Sequence, residues 1–289
     1  MTPDGRKFSV IPRNISMHHS KTNTFSMPGY HWHNGYEIYL FLGGNIRHSV
    51  EQYCYTPAPG TLCVIRPGEL HRTESLDSSV YERISIEIRS KFLDELSSEP
   101  NDLKECFLDR PLGEQCHVQL TEEDVLTFTL ISHKLMNAVN TAESEEDSSV
   151  RIALRELLTL TNSCFKNAER IRTGCAVPKA VRETMEYIGS HLSEDLTLQT
   201  VGHQIHYDAG YLSRKFREIT GLTVSRYIMY RRILSARRLL LDGMESREAA
   251  IQSGFRDYSV FYRSFVRLIG LSPSAFVAET KSKSKKEML

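Results

Sequence analysis

The chain has no apolar run near the ~18–20 residues that a membrane span requires, no C-x-x-C pair and only one tryptophan. The first absence argues against a membrane-spanning helix. The six cysteines (Cys54, Cys63, Cys106, Cys116, Cys164 and Cys175) show no zinc-finger spacing, which excludes a finger array. They read as reduced, mostly buried thiols of a cytosolic protein. An apolar leader segment is also missing, so no secretory signal is expected and the location is expected to be cytoplasmic. Net charge is absent as well, with 36 Lys+Arg against 36 Asp+Glu. That balance hides an asymmetry. From residue 174 onward there are 18 basic and 12 acidic residues, a surplus of six, so residues 1–173 carry a deficit of six. A basic C-terminal part joined to an acidic partner suggests a polyanion-binding module attached to something else.

What is present is 40% hydrophobic and 25% charged residues over 289 positions, a globular composition long enough for about two domains. Residues 24–89 have β texture. The runs 37–42, 61–66 and 81–89 are rich in β-branched and aromatic residues, and the last places Ile84, Ile86 and Ile88 on one face. Gly43-Gly44, Pro57 to Gly60 and Pro67-Gly68 supply turns between them, so a barrel or sandwich is expected. Residues 1–20 read as a loosely held arm or a first strand. Residues 92–98 predict a short helix, and 116–120 a late strand. Thr121 to Asp124 opens a helix in capping-box style, with a stripe of Val125, Phe128, Ile131, Leu135 and Val139. A polar run, 141–149, precedes a second helix over 150–165 with Ile152, Leu154, Leu157, Leu158 and Leu160. These two helices serve either core packing or a dimer interface.

Residues 167–178 read as a linker, and everything beyond it as helical: 180–192, 198–206, 209–220, 224–241 and 247–253. The stretch 254–276 then adds a capped helix. Asp257 precedes it, Phe261, Phe265 and Leu268 form its inner face, and Gly270 ends it. Ser272-Pro273 reads as the cap and first turn of another helix, and a disordered basic tail is expected over 281–286. The pattern occurs twice, offset by 49 residues. Asp208 matches Asp257, Arg214 matches Arg263, Phe216 matches Phe265, Gly221 matches Gly270, Leu222 matches Leu271 and Ser225 matches Ser274. Leu212, Phe216 and Ile219 repeat the inner face. One amphipathic helix with a basic outer face is ordinary; a duplicated, identically capped pair is a repeated helix-turn-helix, about 198–220 and 247–269. The outer faces carry Gly210, Tyr211, Arg214, Lys215 and Arg217 in the first copy, and Tyr258, Ser259, Tyr262, Arg263 and Arg267 in the second. These are the candidate contacts to bases and phosphates of double-stranded DNA. Val266 stands where the first copy has Arg217.

Tyr211-Leu-Ser-Arg, Phe216, Gly221, Ala236, Leu239-Leu240, Ala250, Gly254-Phe255, Asp257, Phe265 and Gly270-Leu-Ser-Pro273 together resemble the AraC/XylS family of transcription regulators over about residues 180–279. The resemblance implies operator half-sites and a small-molecule effector, with a sugar or related metabolite as the expected class. It also implies a homodimer, and RNA polymerase as a partner if the protein activates. In the N-terminal part, His31-Trp-His33-Asn-Gly-Tyr-Glu37 followed by Gly44 resembles the first motif of cupin barrels, and Gly60 with Pro67-Gly68-Glu69-Leu70-His71 the second. Two histidines of an H-x-H run lie on one face of a strand. His31, His33, Glu37 and His71, with Trp32 beside them, are therefore the expected effector pocket. In metal-binding cupins those four positions are ligands, which makes them candidates for a divalent metal, although no cofactor is expected.

The expected architecture is α+β: a cupin-like effector-sensing barrel (1–120), a helical dimerisation segment and linker (121–173), and an all-α double helix-turn-helix domain (174–289). No catalytic residue and no membrane partner are expected. The alternative is a metal-dependent cupin enzyme, or a metal sensor, with a DNA-binding appendage.

Overall fold

The computed structural model describes residues 8–9, 14–23, 25–27, 29–97, 102–142, 147–167 and 175–284. The chain divides into two compact units, Met1–Ala176 and Val177–Leu289.

The first unit is a β-barrel backed by helices. Its larger sheet is antiparallel, in the order β10 (His117–Gln119), β7 (Thr61–Ile65), β4 (Gly35–Gly43), β9 (Tyr81–Arg89), β2 (Ile15–Thr22). The smaller runs β11 (Cys175–Ala176), β6 (Tyr53–Tyr55), β5 (Ile46–Val50), β8 (His71–Ser75). A parallel two-stranded pair joins β1 (Phe8–Ser9) to β3 (Trp32–His33). Strand periodicity explains the sequence of the larger sheet. Ile38, Leu40, Leu62, Val64, Ile84, Ile86 and Ile88 point to one core, shared with the helices. Tyr39, Phe41, Cys63, Ile65 and Tyr81 point the other way, to a core completed by Ile46, Val50 and Tyr55 of the smaller sheet. A sheet covered on both faces reads as an unbroken apolar run, as residues 37–42 do. Of the two readings of the N-terminal segment, a first strand is what residues 15–22 form: all eight pair with β9.

Four helices follow: α1 (Ser90–Leu96), α2 (Glu105–Leu108), α3 (Glu122–Thr141) and α4 (Ser148–Asn167). Thr121 caps α3 by accepting the Asp124 amide at 3.1 Å and donating to the Asp124 carboxylate at 2.7 Å. Phe128, Ile131 and Leu135 of α3 and Ala153, Leu154, Leu157 and Leu158 of α4 lie in the same core as the sheet. The inner faces of the paired helices therefore serve core packing. Ile152 is a correction to the predicted inner stripe: it is 61% exposed. The four-residue α2 was not predicted, being too short to show a period. Of the expected linker, residues 168–174 lie outside the described residues, and 175–176 are strand β11.

The second unit is all-helical: α5 (Lys179–Ser190), α6 (Leu198–Gln204), α7 (Ala209–Thr220), α8 (Val224–Leu241), α9 (Ser246–Gln252), α10 (Tyr258–Ile269) and α11 (Pro273–Ser284). The duplicated caps form in both copies. Asp208 accepts from the Tyr211 amide at 2.8 Å, and Asp257 from the amides of Ser259 and Val260 at 2.6 and 3.3 Å. Gly221 and Gly270 end their helices at φ 66° and 83°, where a glycine is least strained. The buried faces are Leu212, Phe216 and Thr220 in α7, and Phe261, Ser264, Phe265 and Ile269 in α10. Ile219 and Leu268, predicted inside, are only half-buried, because the inner stripe runs i, i+4, i+8 rather than i+7. The expected tail is also corrected: residues 281–284 continue α11, and Lys285 and Lys286 lie outside the described residues.

A latch on α8 sets the frame of this unit. Arg232 donates from Nε to the Leu192 carbonyl at 2.9 Å and from Nη2 to the Glu194 carbonyl at 2.7 Å. Gly254, at φ 89°, lies so close that a Cβ there would stand 1.9 Å from the Leu192 oxygen. Among the described residues no helix is long and apolar enough to cross a membrane, and the five cysteines with described side chains are free thiols.

Candidate functional site

Barrel geometry begins with an isolated bridge. His31 and His71 exchange backbone hydrogen bonds, each 3.0 Å, and this sets their rings 4.0 Å apart. His33 leaves β3 on the same face and reaches Glu37 of β4 at 3.1 Å from its Nε2. The Nε2 of His71 lies 3.1 Å from the same carboxylate oxygen but without hydrogen-bond alignment, so this buried atom has no hydrogen-bond partner. The outer nitrogens are held by backbone: His33 Nδ1 is 3.0 Å from the Gly35 carbonyl, and His71 Nδ1 is 3.0 Å from the Glu69 carbonyl. Carbonyls only accept, so both Nδ1 atoms carry protons. Each neutral ring then turns a lone pair toward an acidic oxygen. The rings must either be protonated or share a cation or hydrogen-bond donor with the carboxylate.

Electrostatics follow that geometry. Burial pushes the Glu37 carboxyl up, but its contacts with the His33 and His71 imidazoles outweigh it, and the group lies well below the usual carboxylate range. Burial lowers His71, but its contact with Glu37 outweighs this and its value is raised. His31 is driven well below the ordinary histidine value, first by burial and then by His71.

The structure therefore brings together His33, Glu37 and His71, whose ligand atoms all lie within 4.8 Å of one another. His31 stacks against His71 and is outside that set, half-buried at its edge. Trp32 alternates to the opposite face and is 4% exposed, so it packs in the interior rather than lining the site. The divalent cation that the cupin resemblance implies finds a fitting donor set here: two imidazoles with oriented outer nitrogens, one carboxylate and an orphaned buried Nε2. His33, Glu37 and His71 would hold it.

Sequence reasoning missed two further groups. Glu69, quoted only as part of a motif, forms a fully buried pair with Arg110. Arg110 Nη2 reaches it at 2.5 Å and Nη1 at 2.7 Å, and the Gly113 amide adds 2.8 Å. His48, Cys63 and His117 form a second cluster, all buried. Neither has a local spacing motif, since each joins residues 15 to 69 positions apart. The available signal was polar side chains inside otherwise apolar strands.

In the second unit, α7 exposes Gly210, Tyr211, Arg214 and Arg217, and α10 exposes Ser259, Tyr262, Arg263 and Arg267. Lys215 is half-buried and pairs with Glu218 at 3.0 Å. Tyr258 is half-buried, with its hydroxyl 2.8 Å from Ser246, so it braces α10 against α9. Arg267 also reaches the sulfur of Met229 at 3.4 Å. Val266 is half-buried rather than squarely outward. Each pair, α6–α7 and α9–α10, thus presents the second helix outward with arginine at matched positions.

A barrel with a polar interior site and a duplicated helix-turn-helix define a DNA-binding transcription regulator with a ligand-binding domain. The AraC-like ligand binding domain matches residues 14–160, and a helix-turn-helix domain matches residues 202–279. The chain belongs to the AraC-like family. It is similar to the HTH-type transcriptional activator RhaS of Enterobacter sp. (strain 638), 24% identical over 84% of this chain and 85% of that one. It is also similar to the melibiose operon regulatory protein of Escherichia coli (strain K12), 31% identical over 33% of this chain and 32% of that one. Among solved structures it matches the DNA-binding domain of AdpA in complex with a target DNA at 27% identity, covering 37% of this chain and 96% of that one, with a TM-score of 0.35.

Proposed function

We propose that a small polar molecule bound at His31, His33, Glu37 and His71 controls where the two readers engage DNA. One observation carries the reading: the Nε2 atoms of two buried imidazoles converge on one carboxylate oxygen, each at 3.1 Å, and that of His71 has no hydrogen-bond alignment there. A sugar or related metabolite offers hydroxyls that donate to such acceptors, and one relative is the regulator of a melibiose operon. The site binds its ligand and does not transform it. The working form is a cytoplasmic homodimer. Leu126 and Leu130, four residues apart on α3 and 66% and 70% exposed, form the apolar patch that a second copy covers. RNA polymerase is the further partner if the chain activates, as the named activator among its relatives does.

Titration of sugars against the full chain on a labelled operator tests this. The coupling expected of such a switch changes affinity about 5- to 150-fold. Glu37→Gln should abolish that response and leave ligand-free DNA binding intact. No change in affinity or footprint with any bound sugar would sink the proposal. A second reading, a divalent-metal sensor, is favoured by the orphaned His71 Nε2. It predicts stoichiometric metal in the purified chain that is lost in His33→Ala.

A further inference from the structure

We infer that His48, Cys63 and His117 form a separate binding site for one zinc-class transition-metal cation, buried between the two sheets of the barrel. Strand pairing builds it. His117 of β10 lies directly opposite Cys63 of β7, so their side chains share a face. His48 of β5 meets them from the other sheet, its Nδ1 2.9 Å from the Nε2 of His117. All three donor atoms lie within 4.8 Å of one another, and the residues are only 2%, 0% and 1% exposed. In a tetrahedral site with metal–nitrogen distances of about 2.0–2.1 Å and metal–sulfur of about 2.3 Å, donors stand about 3.3–3.6 Å apart. Reaching that spacing opens the 2.9 Å His48–His117 contact by about 0.4 Å and draws the sulfur in by at most about 1.2 Å.

The surroundings orient the donors as a metal requires. Cys116 Sγ sits 3.2 Å from the His117 Nδ1 and can accept a hydrogen bond from its N–H, which leaves the Nε2 lone pair facing His48 and Cys63. The Tyr55 ring packs 3.9 Å from that imidazole, and its hydroxyl is tied to the Gly113 carbonyl at 2.9 Å. One thiolate with two imidazoles selects zinc, cobalt or copper over magnesium or calcium. This donor set shares no residue with His33, Glu37 and His71, and the His48 and His71 rings are 6.4 Å apart. An apolar triplet would seal the two sheets without burying three polar atoms; a cation gives them a use, clamping β5 of one sheet to β7 and β10 of the other. Binding releases the Cys63 thiol proton, and the proton between His48 and His117 moves to the far nitrogen of His48. Because the cluster is sealed, the cation enters as the chain folds.

The experiment expresses the full chain in minimal medium supplemented with cobalt(II) and purifies it under reducing conditions. The expected result is a near-ultraviolet thiolate-to-cobalt charge-transfer band from one cobalt per chain. It should be lost in both Cys63→Ser and Cys63→Ala and kept in Glu37→Gln. The last variant separates this site from the effector pocket, whose oxygen and nitrogen donors give no thiolate band. A wild-type chain with native circular dichroism but no such band overturns the inference, whether or not the variants fold. A band unchanged in either Cys63 variant overturns it too.

Discussion

Arg110 and Glu69 show what one buried pair demands. Both side chains are fully enclosed, and the guanidinium grips the carboxylate twice. Removing one partner leaves an uncompensated buried charge, so Arg110→Met should lower stability by about 3–5 kcal/mol in urea unfolding. The pH dependence has a definite sign. Burial raises the Glu69 carboxyl, but Arg110 outweighs it and the net value is lowered. The pair's contribution is thus present above the ordinary glutamate range and fades as pH falls through the depressed folded value. Glu69→Gln should flatten that acid limb of the stability profile. The sequence displayed Glu69 inside a motif yet gave no partner, because Arg110 arrives from 41 positions away and no period announces it.

Helix ends were the most legible elements. Asp208, Asp257, Gly221 and Gly270 act locally, through the amides and φ angles next to them, so a linear reading reaches them. Asp208→Ala and Asp257→Ala should each cost about 1 kcal/mol of thermal stability. Strands β4, β7 and β9 were legible from β-branched runs. The pairing of β5 with β6 and β8, and the seating of His48 among them, depended on long-range register and was not. The effector motif was legible as a set of four but not as geometry: alternation placed His31 and His33 on one face, yet only His33 reaches the carboxylate. On DNA, Arg214→Ala and Arg263→Ala should each cost about 1–3 kcal/mol on a cognate site if the side chain is bidentate to guanine. Equal loss on every sequence in a fluorescence-anisotropy titration would reassign the contact to phosphate.

At the scale of the whole molecule, the proposed dimer face on α3 has its own test. Leu126→Glu with Leu130→Glu should shift the chain toward monomer in sedimentation velocity and leave its circular dichroism unchanged. If the double variant sediments like the wild type, the dimer uses another face. The latch of Arg232, Leu192 and Gly254 has a different consequence. Arg232 ties the loop before α6 to α8, and Gly254 of the turn after α9 packs against that loop, so the two readers of one chain share a frame. The 18-residue α8 between them is about 27 Å long at 1.5 Å per residue. A rigid frame of that kind reads helical phase as well as sequence. Inserting about 5 base pairs between the two sub-sites recognised by α7 and α10 turns one of them to the far side of the duplex, whereas about 10 restores its facing at a longer span.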